Sequence, residues 1–259
     1  MRLEQPEFIP PTQEQKSTPI MDFLVKEAEY LRENGFLVMD DCRLETQVEP
    51  GERAQKRQEE WGENRNERDG ERLEQLTTVV LNEYFSYSNQ KSGDDLFVIR
   101  SNEHDDTWNA TDNFLIDKKT GKILAAFDEV VDDPKGRKFE DKIDKSRIIN
   151  EKGGARISFT PNKRDDKPGE ATPSENIPHL VIRLSKAQLD NAMSMIAKIG
   201  TSLTKKTQFM TGVFDIFAKQ IESQIADLDK SLGLDRNVAN NLYFLEQTLK
   251  KAQSSAGKK

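Results

Sequence analysis

The chain has 259 residues with 39 basic and 46 acidic side chains, a net charge of -7, and nearly equal hydrophobic (34%) and charged (33%) fractions. That balance argues against a generally basic nucleic-acid coat and against an apolar core running the full length, so part of the chain is expected as solvated arm or linker. One cysteine, Cys42, excludes an internal disulfide, and no apolar run is long enough for a membrane span or a signal peptide. The expectation is a cytoplasmic protein with no membrane contact.

Residues 1–16 carry Pro6, Pro10 and Pro11 among Gln and Glu and read as a disordered N-terminal arm. From Ser17-Thr18-Pro19 onward, Ile20, Phe23, Leu24, Ala28 and Leu31 recur at helical spacing until Asn34-Gly35. Residues 52–72 are almost all charged or amide, with Trp61 as their large apolar residue, so 17–72 reads as a helical and charged N-terminal region. Leu73, Leu76, Val80, Tyr84 and Tyr87 then predict an amphipathic helix. Glu83 falls on the side of Leu76 and Val80, either as a boundary carboxylate or as a helix-borne ligand aimed at a metal.

The organising stretch is 94–160. Its strand-length runs are Leu96 to Ile99, Phe114 to Ile116 and Ile123 to Val131, and Gly121 closes the second and third into a hairpin. A charged helix over 136–150, a Gly153-Gly154 stop and a strand over 155–160 follow, which implies a crossover back to the sheet. Four prolines between Pro161 and Pro178 predict a long exposed loop. Leu180 to Leu184 reads as a further strand, and Ser185 caps a helix bearing Leu189, Met193, Ile196 and Ile199. The region 201–259 reads as a helical hairpin with a Lys-rich tail. Its stripes (Phe209, Val213, Phe217, Ile221, Ile225, Leu228; then Val238, Leu242, Leu245, Leu249) suit core or subunit contact, and self-association through 201–250 is expected. The fold class is α+β: a mixed sheet with helices before and after it, in a core spanning 73–200, and a helical C-terminal extension.

No P-loop, dinucleotide fingerprint or Cys/His zinc spacing is present, and His104 and His179 are far apart. The carboxylates carry the chemistry. Along a regular third strand Leu124, Ala126, Asp128 and Val130 face one way, and Ile123, Ala125, Phe127 and Glu129 the other. A hairpin closed near Thr120-Gly121 brings Asp112 beside Asp128 or Glu129. Carboxylates held side by side repel, and Mg²⁺ or Mn²⁺ relieves that repulsion because these cations take oxygen ligands. The bland reading is strand-terminal acids in solvent.

The order helix, strand, strand, strand, helix, strand from Leu73 to Thr160, with Ala110-Thr111-Asp112 and Phe127-Asp128-Glu129-Val130 where two acidic motifs would stand, resembles the PD-(D/E)XK, or restriction-endonuclease-like, nuclease superfamily. The resemblance covers about a third of the chain. It implies a Mg²⁺- or Mn²⁺-dependent nuclease acting on DNA or RNA, with Asp112 and Asp128 or Glu129 on the metal, and a first-helix Glu such as Glu83 completing the site. The lysine expected two residues after the second acid is absent, since Val130 and Val131 stand there. Lys138, Lys142 and Lys145 form one stripe on the following helix, and Lys138 or Lys142 is the candidate substitute; a solvated face is the bland alternative. The competing function is a catalytically degenerate module that binds nucleic acid or protein, with the C-terminal hairpin as its oligomer surface.

Overall fold

The computed structural model describes residues 69–92, 96–101, 111–117, 122–132, 137–157, 174–199, 203–230 and 233–256. The stretch expected as an N-terminal arm, the helix expected over 17–34, Cys42, Trp61, His104, the hairpin turn and most of the Pro-rich stretch lie outside these residues.

Strands β2 (Asn113–Asp117) and β3 (Lys122–Asp132) pair as the expected hairpin, with Asn113 opposite Phe127 and Leu115 opposite Ala125. A bulge then shifts the register so that Ile116 meets Ile123. The extra residue on β3 breaks the simple alternation: Leu124 joins Ala125 and Phe127 in one core, while Ile123 joins Ala126 in the other. Beyond Ala125 the alternation holds. Strand β1 (Leu96–Arg100) runs antiparallel to β2, and β6 (His179–Ser185) runs parallel to β3, giving a mixed sheet in the order β1-β2-β3-β6.

The described part of the strand expected over 155–160, residues 155–157, does not enter this sheet. Strand β4 (Ala155–Ile157) pairs instead with β5 (Ser174–Ile177), the end of the segment read as loop. Gly153 and Gly154 turn the chain away with φ of 105° and 88°. A Cβ on Gly154 would sit 2.7 Å from the carbonyl oxygen of Ile177, so only glycine lets the ribbon close there. Ala155, Ile157 and Ile177 cover Phe97, Phe114, Ile116, Ile123 and Ala126 on one sheet face. The crossover strand is therefore β6, reached through helix α2 (Arg137–Glu151) and the ribbon.

The other sheet face lies under helices α1 (Asp69–Ser92), α3 (Lys186–Ile199), α4 (Leu203–Leu228) and α5 (Arg236–Ala256). Leu73, Leu76 and Val80 of α1 share this core with Leu115, Phe127, Leu180 and Ile182, and with the α4 and α5 stripes. Tyr84 stacks on Phe214, with centroids 3.4 Å apart. Phe217, Val238, Leu242 and Leu245 have no exposed surface. Each such side chain contributes about 1.5–3 kcal/mol by leaving water. The C-terminal stripes, read as core or subunit contact, are covered within the chain. Among the described residues no helix is long and apolar enough to cross a membrane.

Side-chain amides close both sheet edges. Asn82 of α1 accepts from Val98 N and donates to Val98 O, both at 2.6 Å. On the outer edge of β6, Gln224 holds Val181 N and O (2.8 and 2.7 Å), and Gln220 holds Arg183 N and O (2.8 and 3.0 Å). Asn150 of α2 holds His179 N and O (2.8 and 2.7 Å). A carboxamide carries the donor and acceptor of a peptide group, so these four residues take the place of missing strands.

Candidate functional site

The fully buried face of α2 is polar. Ser146 and Asn150 are its buried residues, both bonded to the carbonyl of His179, while Ile148 is exposed. These anchors lay α2 along β6 and β3 and turn Lys142 inward. Its ammonium donates to Asp128 Oδ1 and, at 2.6 Å, to the carbonyl oxygen of Glu129. Lys138 and Lys145 stay exposed on the same helix, and the charge of Lys145 reaches Asp128.

Asp112 stands just before β2. The register places it level with Asp128, and its Oδ2 accepts from the backbone N–H of Glu129 at 2.7 Å. The expectation that Asp112 would stand beside the Asp128-Glu129 pair thus corresponds to a specific contact. The two members of that pair face apart. Asp128 lies on the α2 side, whereas Glu129 lies on the α1 side, where Asn113 Nδ2 donates to its Oε1 at 3.0 Å. Asn113 also donates to the carbonyl of Glu74 (3.2 Å) and accepts from Thr78 Oγ1 (2.7 Å). Arg100 pairs with the Glu74 carboxylate at 2.5 Å.

All three acids are buried, with exposures of 8% for Asp112, 3% for Asp128 and 4% for Glu129. Burial, then the charge of Asp128, pushes Asp112 up to about 6, against the pull of Lys142. Asp128 is raised by burial in spite of Lys142. Glu129 is raised well above the ordinary carboxyl value, first by burial and then by the charges of Asp112 and Glu74, and its Oε2 has no hydrogen-bond partner among the described residues. Burial lowers the Lys142 pKa, but Asp128 and Asp112 outweigh it and leave that pKa raised. Lys142 stays a cation.

The chain matches no family model, no curated protein and no solved structure. What the site can do therefore rests on its own residues. Asp112, Asp128 and Lys142 are brought together, and the Asp112 carboxyl also meets the side chain of Glu129 at the end of the sheet. Glu83 is not part of this group: it lies nine positions beyond Glu74 on α1, about 13.5 Å along the helix axis. Glu74 is the α1 carboxylate whose charge reaches Glu129. Lys138, on the first turn of α2, makes no contact with Asp128 comparable to that of Lys142. Sequence reasoning missed Glu74, Thr78, Arg100 and Asn113. A polar Thr77-Thr78 pair inside an apolar helical stripe, and an Asn opening an apolar strand, were the available signals.

The donors suit a hard cation. Adjacent like charges on Asp112 and Asp128 favour one, and Mg²⁺ commonly takes one or two protein carboxylates, with water or phosphate oxygens in the remaining positions. Among the described residues no three Asp, Glu, His or Cys side chains converge as ligands, so the fit is to two carboxylates.

Proposed function

We propose that the protein is a metal-dependent nuclease that hydrolyses phosphodiester bonds in DNA or RNA, built as a divergent member of the restriction-endonuclease-like superfamily. The observation that carries this reading is the bond from Lys142 to Asp128 beside Asp112. It supplies from α2 the cation that β3 lacks at Val130. The order α1, β1, β2, β3, α2 and the parallel β6 agrees with the superfamily's core once β4 and β5 are set aside as an insertion.

Asp112 and Asp128 are the residues that would hold Mg²⁺ or Mn²⁺, which supplies Lewis-acid stabilisation and an activated water when bound. The chain's own residues do the rest. The Glu129 N–H fixes the orientation of Asp112 through Oδ2. Lys142 opposes the rise that burial imposes on the Asp128 carboxyl and presents positive charge where negative charge develops on the phosphate. Glu129 is held by Asn113 on the α1 side and reaches the site only through the Asp112 carboxyl.

A second reading, a module on this fold that binds nucleic acid or protein without cleaving it, is favoured by the burial of all three acids and the direct Lys142–Asp128 pair. Purified protein incubated with single- and double-stranded DNA and RNA, with each metal in turn, separates the two. The nuclease reading requires cleavage that Asp112→Asn abolishes. Absence of cleavage by the wild type on every substrate favours the binding module.

A further inference from the structure

Arg183 carries its side chain on the same sheet face as Asp128. The parallel register sets Val181 beside Asp128 and Arg183 beside Val130, while Leu180, Ile182 and Leu184 turn into the main core on the opposite face. Its guanidinium carbon lies 3.9 Å from the centroid of the Phe139 ring on α2. Phe139 and Lys142 are three positions apart on that helix, about 4.5 Å along its axis. The guanidinium thus packs on α2 at a residue about one helical turn before Lys142, whose ammonium holds Asp128.

The mount is preorganised and the tip is underused. Gln220 fixes both backbone polar groups of Arg183, and the Phe139 ring restricts its side chain, so little freedom remains to be lost on binding. A guanidinium has five N–H donors and forms its strongest pairs as a two-pronged fork at about 2.7–2.9 Å. Arg183 meets Asp132 through a single nitrogen at 3.5 Å, and its side chain is 42% exposed. That pair sets direction without saturating the donors.

We infer that Arg183 binds a backbone phosphate of a nucleic-acid substrate where it packs on α2, about one helical turn before Lys142. A planar fork suits the two free oxygens of a phosphodiester, and Lys142 and Arg183 then present two cations along one stretch of backbone. The inference rests on the nuclease reading for the place of the reacting phosphate, but binding is measured separately from cleavage.

The experiment uses the full chain and a fluorescent single-stranded oligonucleotide in EDTA, with anisotropy titrations across a series of salt concentrations. Arg183→Met is expected to weaken binding about tenfold and to reduce the slope of log K against log salt by about 0.7, the value of one lost single-strand phosphate contact. Arg183→Lys keeps the charge and is expected to keep the slope while losing part of the affinity. If Arg183→Met does not fold, the lysine variant still decides, because wild-type affinity in it removes the case for a fork. An unchanged affinity and slope in Arg183→Met, or no binding by the wild type, overturns the inference. Binding with the expected Arg183 effect but no cleavage after Mg²⁺ or Mn²⁺ is added removes the nuclease reading and leaves the phosphate contact standing. Cleavage with no Arg183 effect does the reverse.

Discussion

Lys142, on the second turn of α2, donates its ammonium to the carboxylate of Asp128 on β3, joining the helix to the buried acid that stands level with Asp112. Lys142→Met removes the cation and leaves Asp128, whose side chain is 5% exposed, without its charged partner. Breaking a fully buried pair costs about 3–5 kcal/mol, and the 31% exposure of the Lys142 side chain reduces the expected loss to about 1–3 kcal/mol. Urea denaturation at neutral pH measures it as a lower midpoint with an unchanged slope. A midpoint equal to wild type contradicts the pairing.

Asp112 makes stability depend on pH in the direction opposite to that of a salt-bridged acid. Its folded value of about 6 lies above the ordinary carboxyl value, so the protonated form is favoured in the fold. The contribution is fully present below about pH 4 and is lost as pH rises through about 6. Asn at this position accepts the same Glu129 N–H without the charge. Asp112→Asn is therefore expected to match wild type near pH 4 and to exceed it at pH 8 by on the order of 2–3 kcal/mol. Thermal melts across this range check the sign, and a variant less stable than wild type at pH 8 refutes it. A site residue that destabilises its own fold fits a carboxylate kept for ligand binding.

The edge amides carry a separate expectation. Asn82→Leu leaves Val98 N and O unpaired in a place where Asn82 is 2% exposed, and each buried group without a partner costs about 1–3 kcal/mol. Gln224→Leu, on a half-buried edge, is expected to cost less and to promote association through β6. Denaturation midpoints combined with light scattering separate the two effects. Equal, negligible losses in both variants contradict the role of the amides as edge partners.

Much of the sheet was legible because its signals are local. Leu96, Phe114 and Ile123 begin runs whose length and turn residues specify strands, and Asp112 could be aligned with β3 from the hairpin alone. What stayed hidden depended on distant residues or on polar contacts. The bulge at Leu124 changes which face two side chains take without changing composition. The sequence Ser-Glu-Asn-Ile gives β5 no apolar alternation, and the strand forms because Gly154 admits its backbone. Lys142 looked like part of a solvated stripe, since the polar residues Ser146 and Asn150 dock the helix where apolar ones would be expected. Arg183 stood inside an apolar strand, with its role set by Phe139, 44 positions earlier in the chain.

The C-terminal helices are expected to behave as core. Phe209, Phe217, Val238 and Leu245 share one cluster with Leu73 and Leu76 of α1, so a chain ending at Gly200 would expose apolar surface on both sides of that contact. The truncated protein is expected to lose cooperative unfolding or precipitate, measured by circular dichroism and light scattering. A soluble, cooperatively folded product assigns the hairpin to association instead. Among the described residues of that region, exposed Tyr243 (66%) and Phe244 (46%) on α5 are the large apolar side chains left to mediate any self-association.

The most direct comparison is between Asp128→Asn and Glu129→Gln, neighbours on one strand that face opposite sides of the sheet. Both are measured for Mg²⁺- or Mn²⁺-dependent cleavage on a substrate the wild type cuts, with folding checked by circular dichroism. Because Asp128 pairs with Lys142 and stands level with Asp112, Asp128→Asn is predicted to abolish cleavage, whereas Glu129→Gln retains it to within about tenfold, keeping the Asn113 contact through its amide oxygen. Cleavage that survives Asp128→Asn but is lost in Glu129→Gln would place the chemistry on the α1 side and contradict the Asp112–Asp128–Lys142 site.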